Sequence, residues 1–290
     1  MWKFLKYIIC VGIGTLALLW LLDLGYTAVY SRTKTRTPYQ LLRSQKGVAY
    51  NFVFIGSSRV FYHVNPVQIE EATGLRGINF TRPGCGSDEM LLLTRLFFAN
   101  GNTADRMFFQ VDASWEQLAP DTKSMASAMP YLKEPLFADH YKEWSEFSVY
   151  RYFPFYRYAR FSPEIGYREI AMASLGDDGA SAAKKGFGPL DSRFRGTRIL
   201  NMELKSESNP KLEEVVALCR ANHCEPQFFT APFFDFKGAD FGVFLRSKLP
   251  NYRDFSRSLR DEADFRDASH MNVVGAKKFT NIIIQEWFTQ

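Results

Sequence analysis

One stretch in the first half of the chain alternates between short apolar runs and helix-type segments, and this rhythm restricts the possible folds most strongly. Three runs have the length and composition of buried strands: Asn51–Ile55, Arg76–Phe80 and Met107–Val111. Asn65 is placed to begin a helix after the first strand and Gly74 to end it. Ser87 or Asp88 would cap a second helix, Met90–Ala99. This order predicts a doubly wound α/β fold with a parallel sheet.

The rhythm stops after the third strand. From Ala113 to about Asn209 there are few clean strands, and aromatic residues are dense between Phe147 and Phe161. The rhythm resumes with a helix at Pro210–Asn222 and a strand at Gln227–Ala231. We therefore predict one domain over residues 49–290, with an insertion at about 113–209 above the carboxyl edge of the sheet. The insertion is either a helical layer that buries its own aromatic residues or a platform for a substrate.

The amino-terminal segment is apolar, and Tyr7–Leu22 contains no charged residue. This length is close to that needed for a helix to cross a bilayer. No convincing cleavage site follows it, so we predict an uncleaved transmembrane anchor over residues 1–28, with a cleaved signal peptide as the alternative. Residues 29–48 would be a membrane-proximal linker. Basic residues flank the segment on both sides and leave its orientation open.

Composition excludes some classes of function. The net charge of +5 is mild and spread along the chain, so we do not expect nucleic acid as a partner. The four cysteines and four histidines show no metal-ligand spacing, and we predict neither a metal nor a cofactor. Cys219 and Cys224 are close enough in sequence for a disulfide, although two free buried thiols are the commoner outcome.

Two short motifs supply the groups that acyl transfer through a serine ester requires. Gly56-Ser57-Ser58-Arg59 follows the first predicted strand, and Asp267-Ala268-Ser269-His270 precedes the last predicted helix. A serine hydroxyl needs a neighbouring base to act as a nucleophile, and the base needs an acid that holds its tautomer. Both motifs lie at turns beside regular elements, where parallel-sheet enzymes keep their active sites.

The order of these motifs resembles that of the SGNH/GDSL hydrolase superfamily. Gly56-Ser57-Ser58 is similar to the family's Gly-Asp-Ser motif, with serine in place of aspartate, and Asp267-Ala268-Ser269-His270 matches its Asp-x-x-His motif. The segments Phe54–Phe80 and Asp267–Phe279 resemble one branch most closely. This branch contains membrane-anchored cell-envelope proteins that work beside membrane-bound O-acyltransferases, such as the teichoic-acid D-alanylation and alginate acetylation proteins. The resemblance implies a three-layer α/β/α fold of the SGNH or flavodoxin-like type.

The resemblance also implies a function. Ser58 would be the nucleophile, His270 the base and Asp267 the acid of a serine esterase or O-acyltransferase acting on acyl esters of an envelope polysaccharide or polymer. The protein would be a single-pass protein of the bacterial inner membrane, with its catalytic domain outside the cytoplasm. The alternative is a non-catalytic partner that docks onto a membrane-bound O-acyltransferase and presents polymer.

Two parts of the family pattern are less definite in this chain. The oxyanion glycine is either Gly84 or Gly86, and the family's asparagine after the third strand is absent, since that strand runs into Asp112. The backbone N–H of Ser58 and that of one glycine would then bind the oxyanion. Arg59 and Asp112 are weaker candidates for substrate binding, and we favour a salt bridge for the arginine and a turn for the aspartate.

Overall fold

The computed structural model describes residues 1–32, 36–175, 185–191, 194, 196, 199–238 and 240–289. They divide into two compact units. The helical unit comprises the described parts of residues 1–36 and 122–178, and the sheet unit those of residues 37–121 and 179–290. The predicted insertion is therefore shared, because its central helices belong with the amino-terminal helix and its two ends belong to the sheet unit.

The described strands all belong to the sheet unit. They are β1 (Ala49–Gly56), β2 (Gly77–Thr81), β3 (Thr103–Gln110), β4 (Leu200–Asn201), β5 (Glu225–Thr230), β6 (Phe236–Lys237) and β7 (Tyr252–Asp254). Five form one sheet in the order β2-β1-β3-β5-β7, with every neighbouring pair parallel. The short strands β4 and β6 pair separately. The predicted α/β class with a parallel sheet is confirmed.

The described helices occur in both units. In chain order they are α1 (Trp2–Arg32), α2 (Pro38–Ser44), α3 (Ser58–Phe61), α4 (Pro66–Thr73), α5 (Ser87–Ala99), α6 (Thr122–Ala128), α7 (Pro135–Tyr141), α8 (Phe147–Tyr152), α9 (Tyr156–Arg160), α10 (Ser162–Ile165), α11 (Tyr167–Ser174), α12 (Pro210–Ala221), α13 (Phe241–Lys248) and α14 (Val273–Trp287). Short 3-10 helices lie at Ala113–Glu116, Met129–Tyr131 and Glu262–Asp264.

Most of the predicted helix boundaries are confirmed. The Asn65 side chain caps α4, and Gly74 ends it in the left-handed conformation at φ 72°. The predicted cap of α5 is wrong, because Gly86 occupies that position instead of Ser87 or Asp88. The Ser87 hydroxyl donates to the Ser114 carbonyl, and Asp88 pairs with Lys211, so both side chains have other partners.

One hydrophobic cluster of the sheet unit lies between the central strands and the last helix. Phe54, Phe108 and Phe229 are fully buried, and Phe279 and Trp287 of α14 belong to the same cluster. A buried side chain of this size contributes roughly 1.5–3 kcal/mol relative to an exposed one. This packing fixes α14, and with it the loop before α14, against the sheet.

The strand order places a crevice beside β1. The chain passes from β1 outward to β2 and then returns across β1 to β3, so the strand order reverses between β1 and β3. In open parallel sheets, the crevice at the carboxyl ends of the strands at such a reversal is the usual ligand site. The first motif follows β1, and Asp112 follows β3.

The helical unit contains α1 and the central helices of the insertion. α1 is long and apolar enough to cross a membrane, and only 6% of its most apolar window is buried. It extends to Arg32, four residues beyond the predicted anchor. Asp23, near its carboxyl end, is buried and paired with Arg157. The two closely spaced cysteines, Cys219 and Cys224 of the sheet unit, are buried and free.

Candidate active site

Ser58 lies where β1 turns into the short helix α3. Gly56 ends the strand, and the Ser57 hydroxyl caps the helix by accepting the Arg59 N–H. A Cβ atom on Gly56 would lie 2.6 Å from Val60 Cγ2 and 2.8 Å from Gln110 Cβ. Only glycine fits this close approach, which explains the glycine two residues before Ser58.

The three predicted catalytic residues come together at this edge. Ser58 Oγ lies 2.8 Å from His270 Nε2. On the other side of the ring, His270 Nδ1 lies 3.1 Å and 3.0 Å from the two carboxylate oxygens of Asp267. A neutral imidazole with its proton on Nδ1 would therefore donate to Asp267 and accept the Ser58 hydroxyl proton at Nε2.

The loop that carries Asp267 and His270 is held at both of its ends. The Arg266 N–H donates to the His270 carbonyl at 2.8 Å, which closes the loop on itself. The Asn272 side chain caps α14 by accepting the Val274 N–H, and its amide donates to the Ala263 carbonyl. The last predicted helix does begin directly after the Asp267–His270 motif, and this helix holds the loop in place.

Hydrogen bonds keep the Asp267 carboxylate charged. Burial alone would raise the pKa of Asp267, but the Ser269 backbone N–H, the His270 ring and the Ser269 hydroxyl together hold this pKa below its ordinary value. The backbone N–H groups of Ser269 and His270 lie 2.9 Å and 3.0 Å from the same carboxylate oxygen. The carboxylate is therefore ionised at neutral pH and can stabilise a protonated imidazole.

His63 supports the loop from below, and sequence reasoning assigned it no role. It is fully buried, and its Nε2 accepts the N–H of Met271, the residue after His270, at 2.9 Å. Burial, together with the charge of Arg59 and the nearby His270, holds the pKa of His63 well below its ordinary value. His63 is therefore a neutral acceptor that fixes the backbone next to His270. In the sequence, its neighbours Tyr62 and Val64 give no indication of this contact.

Gln110 is a second residue that sequence reasoning missed. Its side-chain oxygen accepts both the Ser57 N–H at 3.1 Å and the Ser57 hydroxyl at 2.5 Å, while its amide donates to Asp112 at 2.6 Å. Ser57, the residue before Ser58, is thus tied to the end of β3. A glutamine that ends an apolar strand was the available signal, because a fully buried amide requires partners.

Arg59 and Asp112 form a buried salt bridge in the same region. Arg59 also donates to the Ala231 carbonyl after β5, and its guanidinium lies 3.4 Å from the centre of the Phe233 ring. Burial lowers the pKa of Arg59 to about 10, against the attraction of Asp112, so the side chain remains charged at neutral pH. The Asp112 carboxylate also accepts the Ser114 N–H. Arg59 therefore ties together the ends of β1, β3 and β5.

Ser58 and His270 border a cavity of about 260 Å³. Ser58, Gly84 and Asn201 are among the residues that line it, whereas Gly86 occupies the N-cap position of α5 and is not one of the described lining residues. Gly84 adopts a φ of 80°, a conformation suited to glycine. Within the described residues, the backbone N–H groups of Ser58 and Gly84 donate no hydrogen bond. Gly84 is therefore the better placed of the two predicted oxyanion glycines.

A larger cavity of about 680 Å³ lies elsewhere on the sheet unit, bordered by Trp115, Arg220 and Lys248. Its described lining contains serines but no histidine, so it holds no serine–histidine pair. The smaller cavity is therefore the candidate site.

Comparison of the sequence with models of known protein families gives no match, and comparison with curated proteins gives no relative with significant similarity.

Proposed function

We propose that the chain is a membrane-anchored serine esterase or O-acyltransferase of SGNH type, acting on acyl esters of a cell-envelope polysaccharide or polymer. The observation that carries this proposal is the 2.8 Å contact between Ser58 Oγ and His270 Nε2, with Asp267 on the opposite ring nitrogen. The motif order and the parallel sheet agree with a three-layer SGNH arrangement, which is part of the proposal.

In the first half of the reaction, Ser58 is acylated. Its oxygen attacks the ester carbonyl carbon while His270 Nε2 takes the hydroxyl proton, and the carbonyl oxygen becomes an oxyanion. When the tetrahedral intermediate collapses, the bond to the leaving alcohol breaks and His270 returns the proton to that oxygen. Asp267 stabilises the imidazolium that exists between these two steps.

In the second half, the acyl group leaves Ser58. His270 takes a proton from water or from a sugar or polyol hydroxyl, whose oxygen attacks the acyl-serine carbonyl. The Ser58 oxygen then leaves and recovers the proton from His270. Water as acceptor gives hydrolysis, and a hydroxyl as acceptor gives transfer.

The backbone N–H groups of Ser58 and Gly84 are the proposed oxyanion donors, because both residues line the cavity. Asn201 and Gln117 also line it, and the side-chain amide of either could substitute for the family's missing asparagine. Losing one such donor typically costs about 10²–10³ in rate.

The cavity supports a short acyl group. Its volume of about 260 Å³ is below the range of roughly 300–1,000 Å³ that is usual for drug-sized ligands. An acetyl-sized group fits such a space, and the polymer chain would remain outside it.

The anchor α1 accounts for the proposed location at the bacterial inner membrane. Its exposed apolar length suits a single membrane crossing, and the family resemblance favours a catalytic domain outside the cytoplasm. The proposed partners are the polymer, its acyl ester and a membrane-bound O-acyltransferase.

A fluorophosphonate probe tests the nucleophile directly. We expect purified full-length protein to be labelled at Ser58, as located by mass spectrometry, and Ser58→Ala to abolish labelling. Ser57→Ala is the matched control, because this neighbouring hydroxyl is bonded to Gln110 rather than to His270. Absence of labelling in the wild type, or equal labelling of Ser58→Ala, would instead favour the non-catalytic docking partner.

A further inference from the structure

Helix α8 of the helical unit carries an exposed apolar face. Val149, Tyr152 and Phe153 are 45%, 73% and 51% exposed. Their spacing of three and four residues places them on one side of the helix and of its first following residue. Side chains of this size are seldom left together in water without a partner.

The position of this face along α1 is fixed by a buried ion pair. Arg157 donates to both carboxylate oxygens of Asp23, at 3.1 Å and 2.9 Å, and the Phe155 N–H donates to the same carboxylate at 3.2 Å. Asp23 is the first charged residue after the uncharged run Tyr7–Leu22. The segment that follows α8 therefore lies at the level where the apolar part of α1 ends.

Aromatic contacts hold the same segment against the helix. The Phe155 ring lies 5.0 Å from the ring of Tyr26, edge to face, and Tyr26 also contacts Tyr158 at 5.2 Å. One to two turns before Tyr26 on α1, Trp20 and Leu21 are 55% and 62% exposed. The apolar surface of α1 thus continues towards the level of the α8 face.

We propose that the α8 face, formed by Val149, Tyr152 and Phe153, inserts into the interface of the bilayer that α1 crosses. The inference rests on α1 as a membrane span and not on the catalytic chemistry. Aromatic side chains prefer the level of the lipid headgroups, because the ring can contact the acyl chains while its polar edge stays hydrated. The bilayer is the favoured occupant because α1 brings it to the level of Asp23.

Arg151 is placed to reinforce this contact. Its guanidinium lies 5.7 Å from the centre of the Tyr152 ring and donates to the Leu132 carbonyl at 2.9 Å. An arginine beside an interfacial aromatic residue can keep its charge near lipid phosphates while its stem covers apolar surface. The protein would then contact the membrane at two places, through α1 and through the α8 face.

Tyr167 provides a matched control within the same unit. It begins α11 and is 81% exposed. Two residues later, Glu169 pairs with Arg36, which lies beyond the carboxyl end of α1. Glu169 is also near enough to Tyr30 of α1 to interact with it electrostatically. Tyr30 lies seven residues after Asp23 in the helix, which at a rise of about 1.5 Å per residue places it roughly 10 Å beyond Asp23.

Nitroxide labels on the full-length chain in nanodiscs of phosphatidylcholine and phosphatidylglycerol test the proposal. In a Cys10→Ser background, the labels are placed by Phe153→Cys, Tyr167→Cys and, as a reference inside the span, Leu16→Cys. We expect the ratio of oxygen to nickel-chelate accessibility to be severalfold higher for the Phe153 label than for the Tyr167 label, and highest for the Leu16 label.

Equal ratios at Phe153 and Tyr167, with the Leu16 label still in lipid, would overturn the proposal and leave α1 as the whole anchor. A water-exposed Leu16 label would overturn both the membrane span and this inference. Neither result would bear on the serine chemistry, which the fluorophosphonate probe tests separately.

Discussion

Each unit of the protein contains a buried arginine–aspartate pair, and the two pairs do different work. In the sheet unit, Arg59 and Asp112 tie together strand ends beside the catalytic cavity. In the helical unit, Arg157 and Asp23 tie the insertion to α1. The first pair therefore holds the residues around Ser58, and the second holds a segment distant in sequence against α1.

The comparison shows that the role of a buried ion pair depends on which segments its two residues connect. A buried pair contributes little net stability by itself, yet removal of one partner leaves an uncompensated charge and is costly. At Arg59 this cost would fall on the ends of three strands. At Arg157 it would fall on the contact between α1 and the segment after α8.

The largest effect is expected from Arg59→Met. We expect it to lower the free energy of unfolding by about 3–5 kcal/mol, because Asp112 is left buried without its partner, and to slow fluorophosphonate labelling of Ser58. Chemical unfolding and labelling rates measure the two effects. The double variant Arg59→Met/Asp112→Asn is the control and should recover part of the stability. Unchanged labelling in Arg59→Met would break the contrast between the two pairs.

Arg157→Met should lower the free energy of unfolding of the helical unit by a similar amount, about 3–5 kcal/mol. The sheet unit should keep its stability. Labelling of Ser58 should persist, because every described residue that lines the catalytic cavity belongs to the sheet unit. Limited proteolysis of the detergent-solubilised protein should show faster cleavage within residues 122–175. Arg157→Met/Asp23→Asn is the paired control. If Arg157→Met lost labelling as fully as Arg59→Met, the two pairs would not have separate roles.

A smaller effect is expected from His63, which is buried but neutral. His63→Leu removes the acceptor of the Met271 N–H and should cost about 1–3 kcal/mol, with slower labelling of Ser58. His63→Gln places an amide oxygen near the position of Nε2 and should restore much of the labelling rate. Equal rates for the two variants would show that the hydrogen bond does not position His270.

The same residue predicts a dependence of stability on pH. The folded-state pKa of His63 is lowered, so below the ordinary histidine pKa of about 6.5 the unfolded chain binds a proton that the folded chain does not. The free energy of unfolding should therefore decrease as the pH is lowered below this value, by up to about 1.4 kcal/mol per pH unit from this group. The free energy of unfolding, measured by denaturation between pH 7.5 and 5, should decrease more steeply with falling pH in the wild type than in His63→Gln. Parallel curves would contradict the assignment of a neutral buried His63.

The smallest effect is expected from Lys133→Met. Lys133 also contacts Asp23, at 2.8 Å, but its side chain is 47% exposed. Exposed ion pairs contribute about 0–1 kcal/mol, so the free energy of unfolding should decrease by less than about 1 kcal/mol. A loss as large as that of Arg157→Met would mean that Asp23 depends on both cations equally.

The sequence predicted the elements that carry local signals. The strands around Asn51–Ile55 and Met107–Val111 are apolar runs with clear ends, and the catalytic motifs lie directly beside such elements. The salt bridge of Arg59 was the favoured interpretation, and the structure contains it. The sequence did not distinguish Gly84 from Gly86, because both lie in one turn. The structure does distinguish them, because Gly84 lines the cavity.

Other features depend on contacts between distant segments. Asp23 and Arg157 form one ion pair, but neither residue has a neighbour in sequence that indicates the other. The bond from Met271 to His63 likewise joins two separate loops. Asn201 reaches the cavity from the far end of the insertion, where no periodic pattern predicted its position.

Envelope acylation in cells that carry Ser58→Ala tests the central claim most directly. Because Ser58 Oγ is the proposed acyl carrier, the variant should reach the membrane at the wild-type level and lose the acylation or deacylation that the wild type performs. His270→Ala should be about as harmful, and the double variant little worse, because such residues act as a unit. Wild-type levels of polymer acylation in Ser58→Ala cells would contradict the account and identify the chain as a docking partner that retains a serine–histidine pair.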